Sequence, residues 1–226
     1  MDKTNKYGLS RYISECVKEK IRKDAGYGCV FCGALIIQYE HIEPEFSNAQ
    51  IHDPEKMTLL CANCHFKVTK KLISKKAVWD AKSSPKAKQK GFVNDFIYHD
   101  CDNTTIQIGS SKISMSNIVL EAYGKPLLWF EESKNKEEPF KLCCIFYDKE
   151  SNPIAFINRN EFIGIVGSHD IKSVGTKIEI KNKVDGGILN LSCEGGDICK
   201  ITSMSMNYID LSIRLEKDGV ILVEIG

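Results

Sequence analysis

The sequence has no apolar run that approaches the roughly 20 residues that a helix needs to cross a bilayer, so we expect no membrane span. It also lacks a strong net charge, because 31 Lys and Arg residues are balanced by 30 Asp and Glu residues. Taken over the whole chain, that balance predicts no polyanionic partner. A repeat of fixed period is absent as well, which argues against a solenoid or a propeller.

Cysteine, in contrast, is abundant, with ten residues. Six of them follow no disulfide framework, and together with the lack of a recognisable signal peptide this predicts a protein of the reducing cytoplasm. The other four form two Cys-x2-Cys pairs, Cys29 with Cys32 and Cys61 with Cys64, separated by 28 residues. Two such pairs can place four thiolates around one tetrahedral Zn2+, whereas a single pair would say far less. We therefore expect a structural zinc site.

Two histidines stand at informative places relative to these pairs. His65 directly follows Cys64, so on a helix that begins near the second pair it points to a different side from the thiolate. Glu40 and His41 lie between the pairs, in the apolar stretch 36–44, which predicts a short strand. A carboxylate beside one imidazole, facing a second imidazole across a hairpin, suits a divalent metal and a general base.

These features together resemble the HNH endonucleases of the ββα-metal, or His-Me finger, group. The resemblance covers about residues 15–78 and includes both cysteine pairs. In that family the acid before the first histidine and the histidine after the last cysteine bind a catalytic metal, while the first histidine activates water. The resemblance implies that Glu40 and His65 bind Mg2+ or another divalent ion and that His41 is the general base. Family members more often carry Asp before the histidine, and Glu keeps a hard oxygen ligand there.

One position departs from the family pattern. The middle Asn of the HNH name usually lies five residues before the third cysteine, where this chain has Lys56. In the family that Asn orients the general-base histidine through the backbone, and a lysine side chain has no acceptor with which to copy an asparagine. Asn48, His52 and Asp53 are the loop residues able to supply the function instead, and the sequence does not choose among them. His52 has no partner pattern and is otherwise expected to be a surface or core histidine. Either the site tolerates Lys56, whose ammonium would then also steady a phosphate, or activity is reduced.

The charges are unevenly distributed along the chain. Residues 1–92 hold 17 Lys and Arg against 10 Asp and Glu, whereas residues 93–226 hold 14 against 20. Lysines beside the expected metal predict phosphate contacts that do not read bases, so affinity should fall steeply with salt. We therefore expect DNA, or alternatively RNA, as the partner, although a lysine-rich helix can also be a merely solvated surface. The expected nucleic-acid-binding residues are Lys56, Lys67, Lys70, Lys71, Lys75 and Lys76.

The chain predicts an α+β protein of two domains. Residues 1–80 are expected, through the resemblance, to form a zinc-stapled ββα-metal HNH domain with an N-terminal helix over Leu9–Asp24 that Gly26 ends. Residues 81–92 have the lysine-rich composition of a linker. Residues 93–226 show alternating and β-branched runs, which predict a β-rich, sandwich-like domain with its own core. Its expected role is to bind a protein partner, to form a homo-oligomer, or to sense a signal that gates the nuclease.

Two functional hypotheses of different classes follow. The first is a zinc-stapled, divalent-metal-dependent endonuclease that acts on DNA in bacterial restriction or phage defence. The second is a catalytically degenerate HNH module that binds nucleic acid as an adaptor, and Lys56 is the main argument for it. A zinc ribbon without catalysis, with His65 packed beside the metal, is the simpler alternative.

Overall fold

The computed structural model divides the chain into two compact units, Met1–Val93 and Asn94–Gly226. Few helices and many strands make it a mixed α+β protein rich in β structure, which confirms the predicted fold class at that level. None of the helices in the described ranges has the length and apolar character that a membrane span requires. The structure describes residues 4–97, 105–132, 140–167, 169–182, 186–193, 198–216 and 218–226.

In the first unit, short helices surround a two-stranded antiparallel sheet. Its elements are α1 (Glu15–Ala25), β1 (Gln38–His41), β2 (Met57–Leu60), α2 (Ala62–Thr69), α3 (Lys75–Ser83) and α4 (Lys86–Lys90). In the sheet, Glu40 lies opposite Thr58. All four residues of β2 are buried because both α1 and α2 contact this strand. Ile21 of α1 and Val78 of α3 are fully buried in the same core, so the helices fix the position of the hairpin.

Helix α1 starts later than the sequence predicts. Its first residue is Glu15, and the predicted start at Leu9 is wrong because the segment Leu9–Ser14 makes tertiary contacts instead of helical ones. Asn5 holds this segment, since its side chain accepts a hydrogen bond from the Leu9 N–H and donates two to carbonyl oxygens in the loop after β1. The predicted end of the helix is confirmed, because Gly26 adopts the left-handed conformation with φ 69°.

The segment 81–92, which its composition predicts to be a linker, is instead folded against the first cysteine pair. It contains the end of α3, all of α4 and the first residue of strand β3 (Phe92–Phe96). Ala87 is fully buried, and the Lys90 ammonium donates a 3.0 Å hydrogen bond to the Cys32 carbonyl oxygen. Composition misleads here because a single small side chain is buried and a lysine, typical of solvated linkers, bonds to a main-chain carbonyl.

The second unit consists of two sheets. Its strands are β4 (Thr105–Ile108), β5 (Ser111–Ser114), β6 (Ile118–Ala122), β7 (Lys125–Glu131), β8 (Lys141–Tyr147), β9 (Pro153–Asn158), β10 (Glu161–Ile165), β11 (Asp170–Val174), β12 (Lys177–Asn182), β13 (Gly186–Ser192), β14 (Cys199–Tyr208), β15 (Leu211–Leu215) and β16 (Ile221–Ile225). One sheet has the order β3-β10-β9-β8-β7-β6, and the other runs from β11 to β16 in sequence order, with β4 beside β14 and β5 beside β4. The β4–β14 pair is parallel. Strand β8 of the first sheet contacts β14 of the second, and Phe146 of β8 is buried.

No disulfide bond joins two of the cysteines that the structure describes. Cys101 lies outside the described residues. Cys143, Cys144, Cys193 and Cys199 are buried in the second unit, where they act as small apolar side chains of its core.

Candidate metal centre and active site

The four cysteines expected to bind zinc lie together in the first unit. Their sulfur atoms are all within 4.8 Å of one another, and the Sγ atoms of Cys32 and Cys61 are 3.7 Å apart. Four sulfurs at about 2.3 Å from a tetrahedral Zn2+ would be about 3.8 Å apart, so this cluster fits that ion with little adjustment. It is the single group of three or more metal-ligating side chains found among the described residues. The predicted grouping is confirmed as a candidate structural metal site.

A tight turn holds the first cysteine pair, and the first turn of a helix holds the second. In the tight turn, the Cys29 N–H donates to the Ala34 carbonyl oxygen and the Gly33 N–H donates to the Cys29 carbonyl oxygen. Gly33 has φ +81°, a conformation that other residues adopt only with strain. The second pair opens α2, where Cys61 is the N-cap and Cys64 lies one helical turn later on the same side.

The crowded sulfurs do not share their protons equally. The hydrogen bond from the Cys32 thiol lowers the pKa of Cys29 to about 5, while the same contact, together with burial, raises the pKa of Cys32. Burial and the Cys29 charge raise the pKa of Cys64 to about 12. One thiolate is therefore favoured when no cation is bound, and a divalent cation would supply the positive charge that lets the others ionise.

Glu40 and His65 form a second polar site where β1 contacts α2. Oε2 of Glu40 lies 3.1 Å from Nε2 of His65. Two neighbouring ligands of an octahedral ion with bonds of about 2.1 Å are about 3.0 Å apart, so these two atoms can bind one divalent ion with little movement. Burial raises the pKa of the Glu40 carboxyl group, while the charges of His65 and Lys75 act in the opposite direction. The pair therefore has the spacing and the chemistry of two metal ligands.

Lys75 lies beside this pair. Its Nζ is 3.9 Å from Oε1 of Glu40 and 3.4 Å from Oε1 of Glu45. An ammonium at this distance partly neutralises the carboxylates. Among the lysines that the sequence predicts to bind nucleic acid, Lys75 is therefore one that lies next to the Glu40 carboxylate.

His41 follows Glu40 on β1, but its imidazole has different neighbours. The sequence predicts that both Glu40 and His41 face His65. In the structure Glu40 contacts His65, whereas His41 contacts the imidazole of His52. Nε2 of His41 lies 3.0 Å from Nδ1 of His52. The His41 side chain is buried, with 8% of its surface exposed. Burial, followed by the nearby His52, lowers the pKa of His41 to about 4, so this imidazole is neutral at pH 7.

The remaining expected nucleic-acid-binding lysines are exposed on and around α2 and α3. Lys56 is directed toward Asp53, with its Nζ 3.9 Å from Oδ2 of that residue. Lys70 lies over the ring of Phe66, with Nζ 5.8 Å from the ring centroid. Phe66 directly follows His65 and is 55% exposed. The exposed lysines are Lys56, Lys67, Lys70, Lys71 and Lys76.

The first unit thus combines a four-cysteine cluster, a carboxylate–imidazole pair and a pair of hydrogen-bonded histidines. No family model, curated protein or solved structure matches the chain. Its function has to be inferred from these side chains themselves.

Two residues of the site are poorly marked in the sequence. His52 is one of three loop candidates for orienting His41, and nothing marks Ser10, whose carbonyl oxygen accepts a 2.9 Å hydrogen bond from Nε2 of His52. Asn5 and Gly8 do give a local sequence signal for a turn in this segment. The Asn5 side chain accepts from a backbone N–H two residues later, and this type of turn competes with a helix over the segment that contains Ser10.

Proposed function

We propose that the chain is a metal-dependent endonuclease of the HNH type that hydrolyses phosphodiester bonds in DNA, with a role in restriction or phage defence. The observation that carries the proposal is the 3.1 Å separation of Glu40 Oε2 and His65 Nε2, with His65 directly after a cysteine of the four-sulfur cluster. Zn2+ held by the four cysteines would be structural, because four protein ligands fill its tetrahedral shell. The Glu40–His65 pair leaves coordination positions open, as a catalytic divalent ion such as Mg2+ requires.

The side chains divide the work of hydrolysis. Glu40 and His65 would hold a divalent ion, which would supply Lewis-acid stabilisation of the charge that develops on the phosphoryl oxygens. His41 is neutral at pH 7 and accepts the proton of the attacking water, a contribution that is typically on the order of 10²- to 10⁴-fold in rate. Lys75, beside the Glu40 carboxylate, pairs with a phosphate of the substrate.

The surface around the Glu40–His65 pair suits a nucleic acid that is bound through its phosphates rather than through its bases. Exposed lysines on α2 and on the turn after it can contact phosphates, and such contacts fix the position of a duplex without reading its bases. The exposed ring of Phe66 offers a face on which a base of a frayed or single-stranded segment can stack. We therefore assign DNA as the substrate class and RNA as the alternative that a cleavage assay has to test.

Nucleic-acid binding without cleavage is the second candidate function, and two features favour it. His41 is buried and its Nε2 is engaged with His52, so it reaches a water only through its other ring nitrogen. Lys56 in the place of the family's asparagine points the same way. An adaptor would keep the cysteine cluster and the basic surface and would lack turnover.

A plasmid-nicking assay with Mg2+, Mn2+ or Ni2+ separates the two functions. We expect the wild type to nick supercoiled DNA, and we expect His65→Ala and His41→Ala to lose at least about 100-fold in rate. Asn63→Ala is the matched control, because Asn63 is exposed on the same helix as His65. DNA binding with no cleavage under any metal would favour the adaptor, and equal cleavage by wild type and His41→Ala would refute the assigned base.

A further inference from the structure

His52 joins His41 to the N-terminal segment through two hydrogen bonds whose directions are fixed. A carbonyl oxygen can only accept, so Nε2 of His52 carries the hydrogen that is donated to the Ser10 carbonyl at 2.9 Å. When His52 is neutral, this is its one ring hydrogen, so its Nδ1 is an acceptor. The group that donates to it at 3.0 Å is then Nε2–H of His41. In that state both rings are Nε2–H tautomers, and Nδ1 of His41 keeps its lone pair.

Aromatic packing holds the two imidazoles in place. The ring of Phe46 is nearly parallel to that of His52, at an interplanar angle of 12° and a centroid distance of 6.4 Å. The same Phe46 ring meets His41 edge-on, at 61° and 5.8 Å. The Arg11 guanidinium covers Phe46, with Cζ 4.5 Å from the ring centroid. A rotation of either imidazole would disturb this stack as well as a hydrogen bond.

The segment that carries the Ser10 carbonyl, the acceptor for His52, is also held in place by Asn5. The Asn5 amide donates to the carbonyl oxygens of Phe46 and Ala49, each at 2.6 Å. Its side-chain oxygen accepts from the N–H of Leu9, the residue before Ser10. The N-terminal segment and the loop that carries His52 are therefore joined through Asn5 as well as through His52.

Lys56, which occupies the position of the family's asparagine, is engaged with groups other than the His41 side chain. The Lys56 carbonyl oxygen accepts from the Ile42 N–H at 2.9 Å and so extends the pairing of the hairpin. Its ammonium lies near Asp53, and it has no acceptor to offer. Asn48, another loop candidate, is exposed. His52 is the loop candidate that contacts His41.

We propose that His52 is the positioning residue of His41, fixing it as the Nε2–H tautomer so that Nδ1 is the proton acceptor; this rests on the proposed nuclease function for its catalytic consequence. In the reaction, Nδ1 takes one proton from water while the water oxygen bonds to phosphorus. The phosphorus bond to the leaving oxygen breaks, and that oxygen takes a proton from solvent. The imidazolium formed at His41 keeps its Nε2–H bond to His52, which stabilises the charge.

The test reads the tautomer and the rate separately. Long-range 1H–15N correlation spectra of histidine-labelled protein at neutral pH identify which ring nitrogen carries the hydrogen. We expect Nε2–H at both His41 and His52 in the wild type, and a mixture of tautomers at His41 in His52→Ala. His52→Asn keeps an acceptor oxygen and should retain the Nε2–H form in part. Asn48→Ala is the matched loop control and should leave the spectrum unchanged.

Kinetics of DNA cleavage give the second readout. His52→Ala should lower kcat by about 10- to 100-fold with KM unchanged, by analogy with the loss seen when a hydrogen-bond partner of a metal-ligating side chain is removed. His52→Asn should recover part of the loss. An Nδ1–H tautomer at His41 in the wild type, or an unaltered tautomer in both His52 variants, would overturn the proposal. A wild type that cleaves nothing refutes the nuclease function instead, while the spectra still decide the role of His52. If His52→Ala does not fold, the wild-type spectrum decides: Nε2–H at His41 supports the proposal, and Nδ1–H at His41 overturns it.

Discussion

Replacing Cys29 by serine should destabilise the first unit far more than one side-chain exchange normally does. Cys29 is fully buried in the four-sulfur cluster, and serine is a poor ligand for Zn2+. A metal that joins Cys32 to Cys61 closes a loop of roughly 30 residues, for which the chain-entropy relation gives about 3.6 kcal/mol at 25 °C. Losing the site therefore removes at least about that much from the free energy of unfolding, since metal–ligand bonding adds to it.

The expected change in melting temperature follows from the size of the unit. At about 2.1 cal/mol/K per residue, the unfolding entropy of the unit Met1–Val93 is about 0.2 kcal/mol/K. A loss of about 3.6 kcal/mol then lowers Tm by about 18 °C. Calorimetry gives the transition, amide hydrogen exchange in β2 and α2 assigns it to this unit, and elemental analysis counts the zinc.

Cys16→Ser is the matched control, because Cys16 is exposed and lies outside the cluster. We expect this variant to keep one zinc per chain and the wild-type Tm. A Cys29→Ser protein that still binds one zinc per chain and melts like the wild type would refute the four-thiolate assignment, and with it the idea that a metal stabilises this unit.

The remaining predictions concern the second polar site and the basic surface. Glu40→Gln keeps the shape but removes the charge, so Mn2+ titrated into zinc-loaded protein should bind at least about tenfold more weakly, and an unchanged affinity would exclude Glu40 as a ligand. Because burial lowers the pKa of His41 to about 4 from 6.5, the unfolded chain binds that proton more readily, and stability should fall by on the order of 2 to 3 kcal/mol as pH drops from 6.5 to 4. Urea unfolding of His41→Asn should lack this part of the pH dependence, and parallel curves for the two proteins would contradict the shift. Replacing Lys67 and Lys70 by Gln should lower the slope of log K against log salt for duplex DNA by about 1.8, measured by fluorescence anisotropy, whereas the exposed Lys112→Gln should not change it. An unchanged slope in the double variant would remove both lysines from the interface.

What the sequence predicts well in this chain is set by local spacing. The two Cys-x2-Cys pairs bring four sulfurs together because each pair needs only a tight turn or the first turn of a helix. Gly26 ends α1 because a left-handed residue is needed there, and glycine adopts that conformation without strain. Both features depend on a few neighbouring residues, so no knowledge of distant contacts is required to predict them.

The features that the sequence predicts poorly depend on contacts between distant segments. Asn5 bonds to carbonyl oxygens of a loop about 40 positions away, and the apolar spacing of Leu9–Ser14 gives no sign of it. His52 reaches Ser10 across a similar separation. Residues 81–92 look like a linker by composition, yet Ala87 is buried because the turn around the first cysteine pair leaves room for it. In each case a tertiary contact overrides the local pattern.

Helix α2 is defined by its rotation about its own axis as well as by its position. Successive residues of an α-helix are offset by about 100° around its axis. With a metal bound, Cys61 and Cys64 would fix the rotation of α2, and the direction in which the next side chain, His65, leaves the axis would be fixed with it. A one-residue insertion between Cys64 and His65 would turn the imidazole by about 100°, away from Glu40, without disturbing the sulfur cluster. The angular register of one helix therefore ties the geometry of the second site to the occupancy of the first.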